Sequence, residues 1–290
     1  MKTILSIGGP GETTTANFAA LAVSPAGRAN FVESSLAILK ECGFDGLDIH
    51  WQWPKDAIEA KNYTILLSEL RSAMNEYAAR NDGNRLNLSV ACPVGREQYS
   101  LFDLEGMNGH VDSFNLLAYD YATPTASPVT AHQANMFTNG NGTPHNPAQA
   151  VSDLLDADAP AEKILLGIPL YGRGFAHTEG LGKPFSGCPP SDDAAREAGV
   201  RDVKHLPPVG ADVKMDFTAN AAYSYDEDKK ELFSFDTEES VMMKAGFIQS
   251  QGLGGAVFWE ASGDRVGVGS LGGLVSALLL ICFESVGGVG

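Results

Sequence analysis

Cysteine is scarce: Cys42, Cys92, Cys188 and Cys282 are the only four in 290 residues, far apart and without a CxxC pair. That spacing excludes a clustered zinc site and a dense disulfide framework. Basic residues are few as well, 20 Lys and Arg against 36 Asp and Glu, and they do not cluster. A net charge of −16 without a basic footprint excludes nucleic acid as a partner and favours a neutral ligand. No apolar run reaches the roughly 20 residues that span a bilayer, so no membrane segment is expected. The run "LVSALLLICF" near the end fits a final helix packed on a core. The opening "MKTILSIGG" is too short and lacks the cleavage site of a signal peptide, and reads as a buried strand.

What is present is the material of one large α/β domain: 44% of the residues are hydrophobic, enough for a sizeable core. Six apolar runs recur between helical stretches: "TILSIGG", "GLDIHWQW", "LNLSVACP", "VDSFNLLAYDY", "KILLGIPLYGRGF" and "GGAVFWEASG". Strands alternating with helices, and apolar on both faces, predict a parallel sheet with helices outside it. Several runs end in polar or aromatic residues followed by Gly or Pro, the pattern of strands opening onto a loop-built site. A (β/α) barrel is the predicted fold. Between residue 175 and about 241 the pattern changes to short alternating pieces, such as "AAYSYDEDKKELFSFDT", which read as a hairpin-bearing α+β insertion. The expected organisation is therefore barrel over 1–174, insertion over 175–241, and the last barrel strand and helix over 242–290.

Within "DGLDIHWQW", strand alternation puts Leu47, Ile49 and Trp51 on one face and Asp48, His50 and Gln52 on the other. The first set is expected against the helices and the second inside the barrel. Burying three polar groups costs several kcal/mol unless they bond one another or a ligand, so this inner face points to a site rather than a plain core.

These residues resemble glycoside hydrolase family 18, the chitinase family, whose signature on the fourth barrel strand is DGxDxDxE. The resemblance runs through nearly all of the chain: "SIGG" is similar to the third-strand motif, "LAYDY" to the sixth, "GIPLYGRGF" to the seventh and "GGAVFWEASGD" to the eighth, while "GKPFSG" and "AAYSYD" resemble pieces of the insertion domain. Fungal members are most similar in "LLAYDYA" and "HQANMF". The resemblance implies that the last signature position holds the general acid, and that the Asp two residues earlier orients the N-acetyl group that attacks the anomeric carbon. Here those positions are Gln52 and His50; of the acidic set Asp45 and Asp48 remain. An amide has no proton to transfer near neutral pH, and a neutral imidazole lacks the charge that supports the developing cation. Loss of hydrolysis is expected.

The sugar-facing residues are better kept. The resemblance implies that Trp259 lies under the sugar at the cleavage subsite, that Tyr119 and Asp120 contact its N-acetyl and hydroxyl groups, and that Tyr171, Arg173 and Trp53 line the cleft. The plain alternative for Trp259 is a core tryptophan. Other aromatic platforms have gone: Pro10 follows "SIGG" where the family has Trp, and Arg196, Arg201 and Val203 stand at aromatic positions of the insertion domain. Recognition of short oligomers is expected over a long polymer track.

The expectation is thus a chitinase-like protein that binds chitin oligosaccharides without hydrolysing them. The alternatives are a weakly active hydrolase, an inhibitor or protein-binding module on the same scaffold, and a non-functional truncation. No cofactor or metal is implied, and nothing in the sequence bears on oligomeric state. The third-strand motif falls within the first residues, so the first two βα units of the family barrel are expected to be missing. An extracellular location follows from the resemblance alone; sequons at Asn62, Asn87 and Asn141 would permit glycosylation there.

Overall fold

The computed structural model describes residues 2–81, 83–138, 140, 143, 145–192 and 197–286. Arg196 and the sequon at Asn141 lie outside them. The chain forms two compact units, Met1–Leu116 with Ser152–Leu165, and Leu117–Val151 with Leu166–Gly290.

The first part of the chain runs β1 (Ile4–Gly9), α1 (Glu12–Val23), α2 (Pro25–Cys42), β2 (Gly46–Trp51), α3 (Ala57–Arg80), β3 (Asn87–Cys92), two short helices α4 (Arg96–Tyr99) and α5 (Leu104–Asn108), and β4 (Ser113–Leu116). After α6 (Pro147–Asp156) come β5 (Ile164–Pro169), β6 (Tyr171–Phe175), β7 (Val200–Asp202), β8 (Asp212–Asp216), β9 (Ala221–Asp226), β10 (Glu231–Phe235), α7 (Glu238–Ser250), β11 (Gly255–Trp259) and α8 (Leu271–Val286). One sheet has the order β1-β2-β3-β4-β5-β11. Its first four strands pair in parallel. The other is antiparallel, in the order β7-β6-β10-β9-β8.

The six apolar runs became the six strands of the first sheet, with one division. "KILLGIPLYGRGF" breaks at Leu170: its first half is β5, and its second half is β6, which pairs antiparallel with β10 and β7. A continuous apolar run hides such a break, because both halves are buried. The hairpin expected from "AAYSYDEDKKELFSFDT" is β9-β10.

Local chemistry sets the helix ends. Ser24 caps α2, accepting from Gly27 N–H at 2.9 Å with Pro25 in the first turn, and Gly43 ends it with φ 70°, a left-handed conformation that glycine adopts without steric cost. Asp56 caps α3 through Ile58 and Glu59 N–H at 3.0 and 2.9 Å. Thr237 and Ser240 form a reciprocal capping box on α7.

In the first unit Leu47, Ile49 and Trp51 are fully buried. Trp51 stacks on Phe18 of α1 at 5.6 Å and meets Tyr63 of α3 edge-on at 5.1 Å, so this face of β2 lies against helices as alternation requires. In the second unit Ile168, Leu170, Val203, Val241, Ala245, Leu271 and Val275 form a cluster in which the final helix takes part, as its apolar run implied. Among the described residues no helix is long and apolar enough to cross a membrane, and Cys42, Cys92 and Cys188 are free thiols. Asn62 lies on α3 and Asn87 opens β3.

Candidate functional site

In the first unit the polar face of β2 is assembled by register. Ser6 of β1, Asp48 of β2 and Ser89 of β3 stand side by side. Asp48 accepts hydrogen bonds from Ser6 Oγ at 2.6 Å, Ser89 Oγ at 2.7 Å and Asn115 Nδ2 at 3.0 Å. Three donors from three neighbouring strands thus compensate the carboxylate's burial, and a carboxylate held this way is fixed in place. Ser6, Ser89 and Asn115 were missed in the sequence, although each is a polar residue flanked by apolar ones within its run.

Two residues on, His50 is buried, and burial lowers its pKa despite the raising influence of the nearby Asp48 charge. The imidazole is therefore neutral near pH 7. Gln52 Nε2 lies 2.8 Å from His50 Nε2. With the imidazole proton on Nδ1, the amide donates and the ring nitrogen accepts. The Gln52 backbone carbonyl accepts from the Thr15 hydroxyl on α1, and the Ile49 carbonyl accepts from Tyr63 OH at 3.0 Å. Gly8 makes the approach of β1 possible: a Cβ there would sit 2.3 Å from the His50 carbonyl oxygen, and its φ of 117° suits only glycine. Trp53 is half-buried with its ring 6.5 Å from Phe102.

Asp45 stands apart from this group. It precedes β2, and seven residues of extended chain at about 3.3 Å each put it roughly 23 Å from Gln52. Its carboxylate accepts from Thr3 N–H at 2.6 Å and Thr3 Oγ at 3.2 Å, and the Thr3 backbone bond is the main cause of its lowered pKa. Its place is that of a clasp between the starts of β1 and β2.

In the second unit a charged cluster surrounds β6. Arg173 bonds Asp120 through both forks, Nε to Oδ1 at 2.8 Å and Nη2 to Oδ2 at 2.9 Å, and Nη1 reaches Glu197 Oε2 at 2.6 Å. Burial works to lower the Arg173 pKa, and the bonds and charge of Asp120, with those of Glu197, outweigh it and leave it raised. Glu197 was missed in the sequence, since 24 residues separate it from Arg173. Asp120 has φ 62°, a conformation that costs a non-glycine residue about 1–2 kcal/mol, and the Arg173 fork and the Gln133 side chain, which accepts its N–H at 3.3 Å, hold it there. Gln133 also donates to the Tyr171 carbonyl at 2.8 Å. Tyr171 is buried, meets Tyr119 edge-on at 6.2 Å and lies under the Arg173 guanidinium at 5.4 Å. Burial, then the Asp120 charge, pushes the Tyr171 phenol well above its ordinary pKa.

Trp259 ends β11 with 48% of its surface exposed, where Trp51 at the end of β2 has none. The core reading of Trp259 therefore fails: a half-exposed indole at a strand end is a face a ligand can cover. Its backbone carbonyl is taken by Leu170 N–H at 2.7 Å.

The family model for the glycosyl hydrolases family 18 matches residues 1–264. Chitinase 1 of Aphanocladium album is 43% identical over 275 residues, which cover 93% of this chain and 64% of that protein. Endochitinase 1 of Metarhizium robertsii is 43% identical over 280 residues, 95% of this chain and 65% of that protein. The chain thus spans somewhat under two thirds of the length of these relatives. Among solved structures, a family 18 chitinase from Cycas revoluta superposes with a TM-score of 0.83 at 28% identity, over 98% of this chain and 81% of that one. It was crystallised with (GlcNAc)4 as a mutant carrying a Gly-to-Trp and a Glu-to-Gln change. The chain belongs to glycosyl hydrolase family 18. Its fold is the TIM-barrel type of that family, with the antiparallel sheet as its insertion domain.

Proposed function

We propose that this protein binds chitin oligosaccharides, oligomers of N-acetylglucosamine, and that it does not hydrolyse them at a useful rate. The observation that carries the reading is the Gln52–His50 pair: an amide and a neutral imidazole, bonded to each other at 2.8 Å, at the tip of the strand where the family signature has its acid and its acetamide-orienting carboxylate.

Gln52 can donate a hydrogen bond to a bridging oxygen but has no proton to surrender as the bond breaks. General acid catalysis is worth roughly 10²–10⁴-fold, about 3–5 kcal/mol of barrier, and that contribution is lost. His50 offers an acetamide N–H one acceptor at most, and Gln52 already occupies Nε2. No negative charge is left at that position to stabilise an oxazolinium-like intermediate. Ground-state recognition asks less. The half-exposed indole of Trp259 can stack on a pyranose ring, and the Asp120–Arg173–Glu197 cluster offers fixed charged groups to hydroxyls and amides.

The family membership and a neighbour complexed with (GlcNAc)4 while carrying a Glu-to-Gln change support chitin oligomers as the ligand. An extracellular location, where chitin is met, belongs to the same reading. The test is isothermal titration with chitotetraose alongside an assay of reducing-end release. Binding without turnover is expected; turnover comparable to an active chitinase, or no heat of binding, would overturn the reading.

A further inference from the structure

Trp259 is half-exposed, so packing fixes its ring less than it would in a core, and the backbone on either side must aim it. The chain that follows, "EASGDRVGVG", is rich in glycine and holds one short turn, Ala261–Gly263. Left alone, such a segment would swing. It is gripped instead, by a short stretch of the insertion region.

That stretch runs from Glu197 to Leu206. At its start Glu197 Oε2 accepts from Arg173 Nη1 at 2.6 Å. Its middle is β7, whose Val200, Arg201 and Asp202 lie opposite Arg173, Gly172 and Tyr171 of β6. Near its end Lys204 turns to the loop beyond Trp259: Nζ donates to the Ser262 carbonyl at 2.6 Å and pairs with Asp202 Oδ2 at 2.9 Å. The pair with Asp202 would satisfy the charge by itself, whereas the bond to Ser262 joins residues 58 apart. Further contacts close the grip. Leu170 N–H donates to the Trp259 carbonyl at 2.7 Å while the Leu170 carbonyl accepts from Val203 N–H at 3.0 Å, and Arg265 Nη2 donates to the Leu206 carbonyl at 2.6 Å. Gly263 permits the close approach, since a Cβ there would lie 2.4 Å from the Leu170 carbonyl oxygen and 3.1 Å from Asp202 Oδ1. One short stretch thus holds the Arg173 cluster at one end and the Trp259 loop at the other.

We propose that Lys204, braced by Asp202, is a positioning residue: it holds the loop after Trp259 so that the indole presents its face to a sugar in a fixed relation to Arg173. The proposal rests on the chitin-binding reading and adds to it a residue that acts through Trp259 rather than on the sugar. An ammonium suits the task, because its three donors on a flexible stem satisfy a carboxylate and a carbonyl together. A ring that is already aimed loses less freedom when the ligand arrives.

The experiment is titration calorimetry with chitotetraose on Lys204→Met, Lys204→Arg, Trp259→Ala and the double variant Lys204→Met with Trp259→Ala. Lys204→Met is expected to bind about three- to tenfold more weakly, the scale of one net hydrogen bond, and Lys204→Arg to stay close to the parent. In the Trp259→Ala background the same change should weaken binding no further, since a residue that acts through the indole then has nothing to position. A merely structural role would not produce that non-additivity. If Lys204→Met melts early because Asp202 loses its cation, Lys204→Met with Asp202→Asn removes the leftover charge and should show the same pattern. Unchanged affinity in Lys204→Met, or equal fold-losses with and without Trp259, would overturn the proposal while leaving chitin binding intact. No binding by the parent chain would overturn the chitin-binding reading and this proposal together.

Discussion

At the tip of β2 two neutral groups meet, Gln52 and a histidine that burial keeps uncharged, and the carboxylate beside them is fully occupied by Ser6, Ser89 and Asn115. Around β6 the materials are the reverse: a buried guanidinium is gripped by two carboxylates, and its charge is strengthened rather than suppressed. The contrast separates two tasks. A general acid must hold a proton near neutral pH and give it up in the transition state; the Gln52 amide has none to give, and burial keeps His50 unprotonated there. Holding a polar ligand in its ground state needs groups that do not change, which the Arg173 cluster supplies. On the proposed reading, the neutral pair leaves hydrolysis without an acid while the charged cluster serves recognition.

The largest effect should come from making the first region resemble an acid site again. The double change Gln52→Glu with His50→Asp is expected to raise hydrolysis of chitin oligomers by at least about 10²-fold, read as reducing-end release, because it returns the general acid and its neighbouring carboxylate. Each single change should recover less, since the two act as a unit. A folded, oligomer-binding double variant with no turnover would break the comparison by locating the defect elsewhere.

Next is the charged region itself. Arg173→Met leaves Asp120 and Glu197 without their cation, and should cost about 3 kcal/mol in urea unfolding. That figure sits at the low end for broken buried pairs because Glu197 is half-exposed. A loss under about 1 kcal/mol would mean the cluster is an ordinary surface network.

Trp259→Ala should weaken chitotetraose binding by about 1–3 kcal/mol in calorimetry while barely moving the melting temperature, since the indole is half-exposed. Unchanged affinity would remove Trp259 from the site.

The smallest effect is on pH. His50 and His132 both have folded-state pKa values below the ordinary 6.5, chiefly through burial. The unfolded chain therefore takes up these protons first, and stability is expected to fall as the pH drops below about 6.5. Carboxylates with lowered pKa, such as Asp112, act only near pH 4 and below, so the window from 6.5 to 5 belongs to the histidines. Melting temperatures across that window should fall, and fall less steeply in His50→Asn; identical slopes would show that His50 is protonated as readily folded as unfolded.

Much of this was readable in advance because strand chemistry is local. The alternation of β2 follows from the two-residue period, and the helix caps at Ser24 and Asp56 lie beside the groups they satisfy. Even the donors around Asp48 left a mark: Ser6, Ser89 and Asn115 each sit between apolar neighbours in their runs, and register lines Ser6 and Ser89 up with Asp48. Other features left none. The division of "KILLGIPLYGRGF" between two sheets is silent because both halves are buried, and the clasp of Asp45 on Thr3 joins residues 42 apart.

By itself the sequence determined the family, the face of β2 that carries polar groups, and the presence of an amide and an imidazole, Gln52 and His50, at its tip, since these depend on residue identity and short-range period. Only the tertiary structure decided that Gln52 and His50 bond each other, that Glu197 shares Arg173 with Asp120, and that Trp259 keeps its indole exposed while Trp51 is enclosed. The physical reason is that hydrogen bonds, charge pairs and burial depend on groups distant in the chain, and their partners are set when the elements pack.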